Sequence, residues 1–205
     1  MDLILFLTAS LVVILAPGPD NILVLTRGVT QGRGAAMVSA AGASLGLVIH
    51  SAFAAAGLSA LLAQSAAAFS VVKYVGAAYL IYLGVRALFE RGSAALSHDQ
   101  GPIGLRKVFS QAVASNVLNP KIAVFFLAYL PQFADPATGG TALELLAFGL
   151  TFALLTLVLF SALALFSGTV GSWLKTRPKL ADGLGWLTGC VLVGLGLRLA
   201  LQDRQ

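Results

Sequence analysis

The chain has 205 residues, of which 58% are hydrophobic and only 10% charged, with a mean hydropathy of +0.91. Soluble domains carry about 25% charged residues, so a water-soluble globule is excluded and an integral membrane protein is implied. The formal charge of +5 falls in small groups between apolar runs, which argues for membrane topology and against nucleic-acid binding.

Six apolar segments follow one another at roughly 3–25, 36–62, 69–89, 110–132, 142–168 and 184–201. A helix needs about 20 residues to cross a ~30 Å hydrocarbon core. All six segments are near or above that length, provided that the first runs through Pro17–Asp20. The alternating segments of a transmembrane barrel are absent from the sequence. The expected fold is therefore an all-α membrane protein of six transmembrane helices.

The first segment is flanked by Met1-Asp2, with no Lys or Arg, and Pro17 stands where a small-residue cleavage site would be needed. It therefore reads as a span rather than a signal peptide. The stretch "APGPDN" (Ala16–Asn21) interrupts it. The second segment carries Gly42-x-x-x-Gly46 and then His50. Small residues at this spacing let helices approach closely, and whether they pack one protomer or a homodimer stays open. In the third segment Lys73 and Arg86 sit near opposite ends, where snorkelling accommodates both. Tyr74, Tyr79, Tyr82 and Phe133 are suited to interfaces or to a transport path. The fourth segment holds a second break, "SNVLNPK". Cys190 in the sixth is the single cysteine; it supports no disulfide, thiol-redox or zinc motif and reads as a small packing residue.

Basic residues mark alternate connections: Arg27 and Arg33, then Arg86, Arg91, Arg106 and Lys107, then Lys175, Arg177 and Lys179. By the positive-inside rule, the loops at 27–35, 90–108 and 169–183 are cytoplasmic and both termini lie outside. Arg198 and Arg204 run mildly against this. The chain reads as a single polytopic domain over 1–205, with three spans in 1–90, a cytoplasmic linker at 91–108 and three spans in 109–205. Three is odd, so the two halves have opposite orientations in the membrane.

The first span of each half is broken by proline at matching places. Setting Pro19 on Pro120 also sets Gly18 on Asn119 and Asp20 on Lys121. Pro17 and Pro19 lack the N–H groups that would reach Val13 and Leu15, and Pro120 lacks the one that would reach Asn116. An unsatisfied backbone group in hydrocarbon costs several kcal/mol, so the freed groups must face protein, water or ligand. Gly18-Pro19 and Asn119-Pro120 read as helix restarts with proline at the first helical position. Each restart directs unpaired N–H groups and a positive dipole end into the break. Paired interrupted segments point to a transporter's midplane site.

Asp20 and Lys121 lie beside these breaks, although each charge costs about 2.5–3.5 kcal/mol at the bilayer centre. One reading makes them an ion pair that braces the bundle. In the other they also hold a zwitterion: Asp20 takes an ammonium group, while Lys121 and the restart N–H groups take a carboxylate. Asn21, Asn116 and Asn119 then supply neutral hydrogen bonds, so that Gly18, Pro19, Asp20, Asn21, Asn116, Asn119, Pro120 and Lys121 make up the candidate site. Asp20 is the candidate proton carrier. His50 is a second, although a lone His on an apolar face is more often structural.

"PGPDN", "GASLG" with His50, "KYVGAAYLIYLGVRAL" and "NPKIAVFFLAYLPQF", in this order and spacing, resemble the LysE/RhtB family of amino-acid exporters. The resemblance implies a secondary carrier in the bacterial cytoplasmic membrane. It would export amino acids or close derivatives, driven by the proton-motive force, with no cofactor. A single Asp20 balanced by Lys121 suits a neutral zwitterion better than a dibasic substrate. The alternative is a divalent-metal exporter of similar architecture. Hard cations want several oxygen ligands, however, and only Asp20 supplies a deep carboxylate, so no metal site is assigned. An enzyme is not expected: there is no HExxH, and Ser51 directly follows His50, so the two point to different faces.

Overall fold

The computed structural model describes residues 3–58, 66–89, 103–134 and 140–201, and these are helical almost throughout. Helix α1 spans Leu3–Leu15, α2 Pro19–Gln31 and α3 Arg33–Phe53, which continues as a π-helical turn over Ala54–Leu58. Helix α4 spans Ala66–Phe89 and α5 Leu105–Val117. Helix α6 starts at Pro120–Val124 and tightens from a π turn (Phe125–Tyr129) to a 3₁₀ turn (Leu130–Phe133). Helices α7 and α8 span Thr141–Thr176 and Pro178–Leu201.

Arg33–Gly57, Ser70–Phe89 and Thr141–Thr169 are each long and apolar enough to cross a membrane alone. The pairs α1–α2 and α5–α6 qualify only when each is taken as one span, bent by 52° and 46° respectively. Gly189–Leu201 within α8 is a shorter apolar stretch, at the place of the sixth expected span. At 1.5 Å per residue, the 24 residues of α8 reach about 36 Å, enough to cross. The six-helix fold with two proline-broken spans is thus present.

Two expected loops are mostly helix. Between 27 and 35 only Gly32 breaks the helix, at φ 86°, which glycine adopts without strain. Between 169 and 183 only Arg177 does. Hydropathy marks where a helix leaves the hydrocarbon, whereas a helix with satisfied backbone groups can continue as polar turns beyond it. Likewise α5 begins at Leu105, inside the expected linker, whose residues 91–102 lie outside the described residues.

The second and third helices of the first half pack on their counterparts in the second, α3 on α7 and α4 on α8. Helix α3 also lies along α5. A Cβ on Gly42 would come within 2.7 Å of the Phe109 carbonyl oxygen, and one on Gly46 within 2.8 Å of Asn116 Cβ. The Gly42/Gly46 pair therefore packs two helices of one protomer. The core beyond the breaks is aromatic. Phe6 packs on Phe133 and Phe148, and Phe125 on Tyr129 and Phe152. Phe133 is thus a core residue rather than an interface anchor. Lys73 is buried against protein rather than extended into the surroundings, with Nζ 4.6 Å from the Tyr74 ring centroid.

Candidate functional site

Both breaks are built as local chemistry dictates. Gly18 is extended (φ −158°, ψ 178°) and offers no side-chain cap, and Pro19 opens α2. At the second break Asn119 caps α6, its Oδ1 accepting from the Lys121 backbone N–H at 3.0 Å, and Pro120 follows.

Val13 and Asn116, two of the carbonyls freed by the prolines, and the helix-end carbonyls of Ile14 and Ala16 are taken up largely by side chains, several of them from the opposite half. Lys121 Nζ donates to the Val13 and Ala16 carbonyl oxygens, both at 3.0 Å. Asn21 Nδ2 donates to the Ile14 oxygen at 2.9 Å, so Asn21 repairs its own break rather than facing the other. The Asn116 carbonyl accepts from the Asn119 backbone N–H at 3.0 Å and from His50 Nε2 at 3.3 Å. His50 thus caps a freed carbonyl from α3, and its ring lies 5.4 Å from that of Phe126.

Asp20, 5% exposed, sits at the meeting point. Its Oδ1 accepts from Ser115 Oγ, and its Oδ2 accepts from Asn116 Nδ2 and Asn119 Nδ2, all at 2.9 Å. Asn116, Asn119 and Lys121 are equally buried. Among the described residues no direct ion pair joins Asp20 to Lys121. Each charge is instead solvated by dipoles from across the break.

Hydrogen-bonding capacity is left over, and it is divided by sign. A carboxylate offers about four lone-pair sites, and Asp20 uses three. Asn116 Oδ1 is buried with no hydrogen-bond partner among the described residues. An ammonium has three donors, and Lys121 uses two. The N–H groups in the first turn of α2 have no intrahelical acceptors. Gly18 keeps this corner clear: a Cβ there would lie 2.9 Å from Lys121 Nζ. The arrangement thus has acceptors around Asp20 and Asn116, and donors around Lys121 and Gly18.

The sequence reading missed two features. Ser115 directly precedes Asn116 within "SNVLNPK", and its hydroxyl was the available signal. Arg27, expected in a cytoplasmic loop, is 1% exposed within α2; its spacing of seven from Asp20, two helical turns, was the clue. Among the described residues no group of three or more His, Cys, Asp or Glu side chains gathers as a metal site would require.

The family model for the LysE type translocator matches residues 11–203. The "Leucine efflux protein" of Salmonella typhimurium is 30% identical over 199 residues, which cover 95% of this chain and 92% of that protein. The "Uncharacterized membrane protein YrhP" of Bacillus subtilis is 29% identical, covering 98% of this chain and 99% of that protein. An "Uncharacterized membrane protein" of Vibrio cholerae is 28% identical over 95% of this chain and 94% of its own length. No solved structure matches.

Proposed function

The chain belongs to the LysE type translocator family, and from this premise we propose that it exports neutral amino acids or close derivatives across the bacterial cytoplasmic membrane. The substrate is held as a zwitterion between the two breaks. Its ammonium takes the remaining acceptor of Asp20 and the Asn116 Oδ1. Its carboxylate takes the remaining Lys121 donor and the N–H groups at the start of α2. The observation that carries this reading is the division of unspent capacity into an acceptor corner and a donor corner. One carboxylate and one ammonium match one zwitterion and leave no counter-charge for a cationic side chain. The leucine efflux relative supports a neutral one. Metal export has less support, because a hard cation wants several oxygen ligands with carboxylates among them, and among the described residues no further His, Cys, Asp or Glu side chains gather with Asp20 as a metal site would require.

The carrier works by alternating access between the inverted halves, and the proton-motive force drives it. Asp20 carries the proton, and His50, which reaches Asp20 through Asn116, adjusts its surroundings. The first loop and the described end of the third, from Ile103, lie together at one end, since Gln31 at the end of α2 bonds Ile103 just before α5. This agrees with a cytoplasmic placement of both.

The test is efflux from cells preloaded with dipeptides, with every released amino acid profiled in the presence and absence of the protein. A neutral amino acid leaves faster when the protein is made, and a protonophore removes the difference. If no amino acid or derivative leaves faster, the reading fails.

A further inference from the structure

We propose that Arg27, Gln31 and Gln111 form a hydrogen-bonded strap that closes the cytoplasmic side of the site and parts to admit substrate; this rests on the exporter reading above. Arg27 Nη2 donates to Gln111 Oε1 at 2.9 Å, and Nη1 donates to Gln31 Oε1 at 2.8 Å. Gln31 Nε2 donates in turn to the Ile103 carbonyl at 2.7 Å. One of these three bonds runs from the first half of the molecule to the second, one runs to the linker just before α5, and the third ties them together.

The strap lies directly below the candidate site. Asp20, Val24, Arg27 and Gln31 recur at helical spacing along one face of α2. Arg27 therefore stands about 10 Å from Asp20 along the helix axis. On α5, Gln111 precedes Ser115 by one turn, and Ser115 donates to Asp20. The same two helices that supply the carboxylate and two of its three donors, Ser115 and Asn116, are thus joined one to two turns closer to the end bearing the first loop and the start of α5.

The two ends of the bundle are closed by different chemistry. Toward the other end, Phe6, Phe133 and Phe148 pack ring against ring. On the strap side the closing groups are a guanidinium and two neutral amides. These exchange protein partners for water at small net cost, since a hydrogen bond lost to water is largely replaced. When α2 and α5 separate, Arg27 is hydrated at the mouth of the opening, where its charge attracts the carboxylate of an approaching substrate.

The experiment reads side-specific access. Cys190 is replaced by Ser to remove the free thiol, and Val24→Cys places a reporter on the buried face between site and strap. Labelling by a membrane-impermeant maleimide is timed in inside-out and right-side-out vesicles. Gln111→Ala removes the acceptor of a charge-assisted bond, and labelling in inside-out vesicles rises about ten-fold, while labelling in right-side-out vesicles does not. Gln111→Glu converts the bond to an ion pair and slows labelling from the same side. This opposite response separates gating from simple damage to the fold. Unchanged labelling, an equal rise from both faces, or a rise confined to right-side-out vesicles would overturn the proposal. A protein that exports no amino acid yet labels as expected keeps the strap and sinks the exporter reading.

Discussion

Asp20→Asn removes one charge and turns one acceptor oxygen into an NH2 group while keeping the side chain's shape. In the native protein Oδ2 accepts two amide donors and Oδ1 accepts one hydroxyl. The Asn oxygen must therefore face Asn116 and Asn119, and its NH2 must face Ser115, whose hydroxyl can turn to accept. All three native partners thus stay hydrogen-bonded to the substituted side chain. Hydrogen bonds to a charged group are worth about 1.5–3 kcal/mol and neutral ones about 1 kcal/mol. Three weakened bonds therefore lose roughly 1.5–6 kcal/mol. Relief from holding a charge in hydrocarbon returns about 2.5–3.5 kcal/mol. The two nearly cancel, and Asp20→Asn accumulates in the membrane at close to the native level. Substrate binding has no such compensation. Losing the counter-charge to the ammonium weakens affinity roughly 10- to 150-fold, from about 1.5–3 kcal/mol. In proteoliposomes the variant shows no pH-gradient-driven efflux, while counterflow stays measurable at raised substrate concentration. Native efflux with native pH dependence would refute the role of Asp20. Loss of both activities, with the protein still folded, would refute proton carriage and leave a binding or structural role.

Lys121→Met strips the Val13 and Ala16 carbonyls of their donor, at several kcal/mol in hydrocarbon. Its level in membranes falls sharply by immunoblot, whereas Lys121→Arg, which can still serve both oxygens, accumulates. Gly46→Ala brings a Cβ within 2.6 Å of Asn116 Oδ1 and forces α3 away from α5. That overpacking costs about 1–3 kcal/mol and lowers the apparent Tm in detergent by several degrees. Gly34→Ala on the same helix, where a Cβ meets nothing within 4 Å, leaves the Tm unchanged or slightly raised.

The number and length of the spans were legible because hydrocarbon thickness sets them, and a run such as 142–168 needs no partner to declare itself. The breaks were legible for an equally local reason: Pro17, Pro19 and Pro120 lack a donor wherever they fold, and Gly-Pro and Asn-Pro restart helices by their own geometry. The opposite orientation of the two halves followed from counting spans. The choice of partners was not legible, because a hydrogen bond depends on which helices lie side by side. Asp20 and Lys121 are matched in sequence and opposite in charge, yet Lys121 serves the carbonyls of the first break and Asp20 is held by Ser115, Asn116 and Asn119. Arg27 looked like a loop charge until packing of α2 beside α5 buried it against Gln111. Local composition determined where the chain crosses and where it breaks. Only the juxtaposition of the two halves decided what fills the breaks, since the groups that satisfy one half's backbone are carried largely by the other.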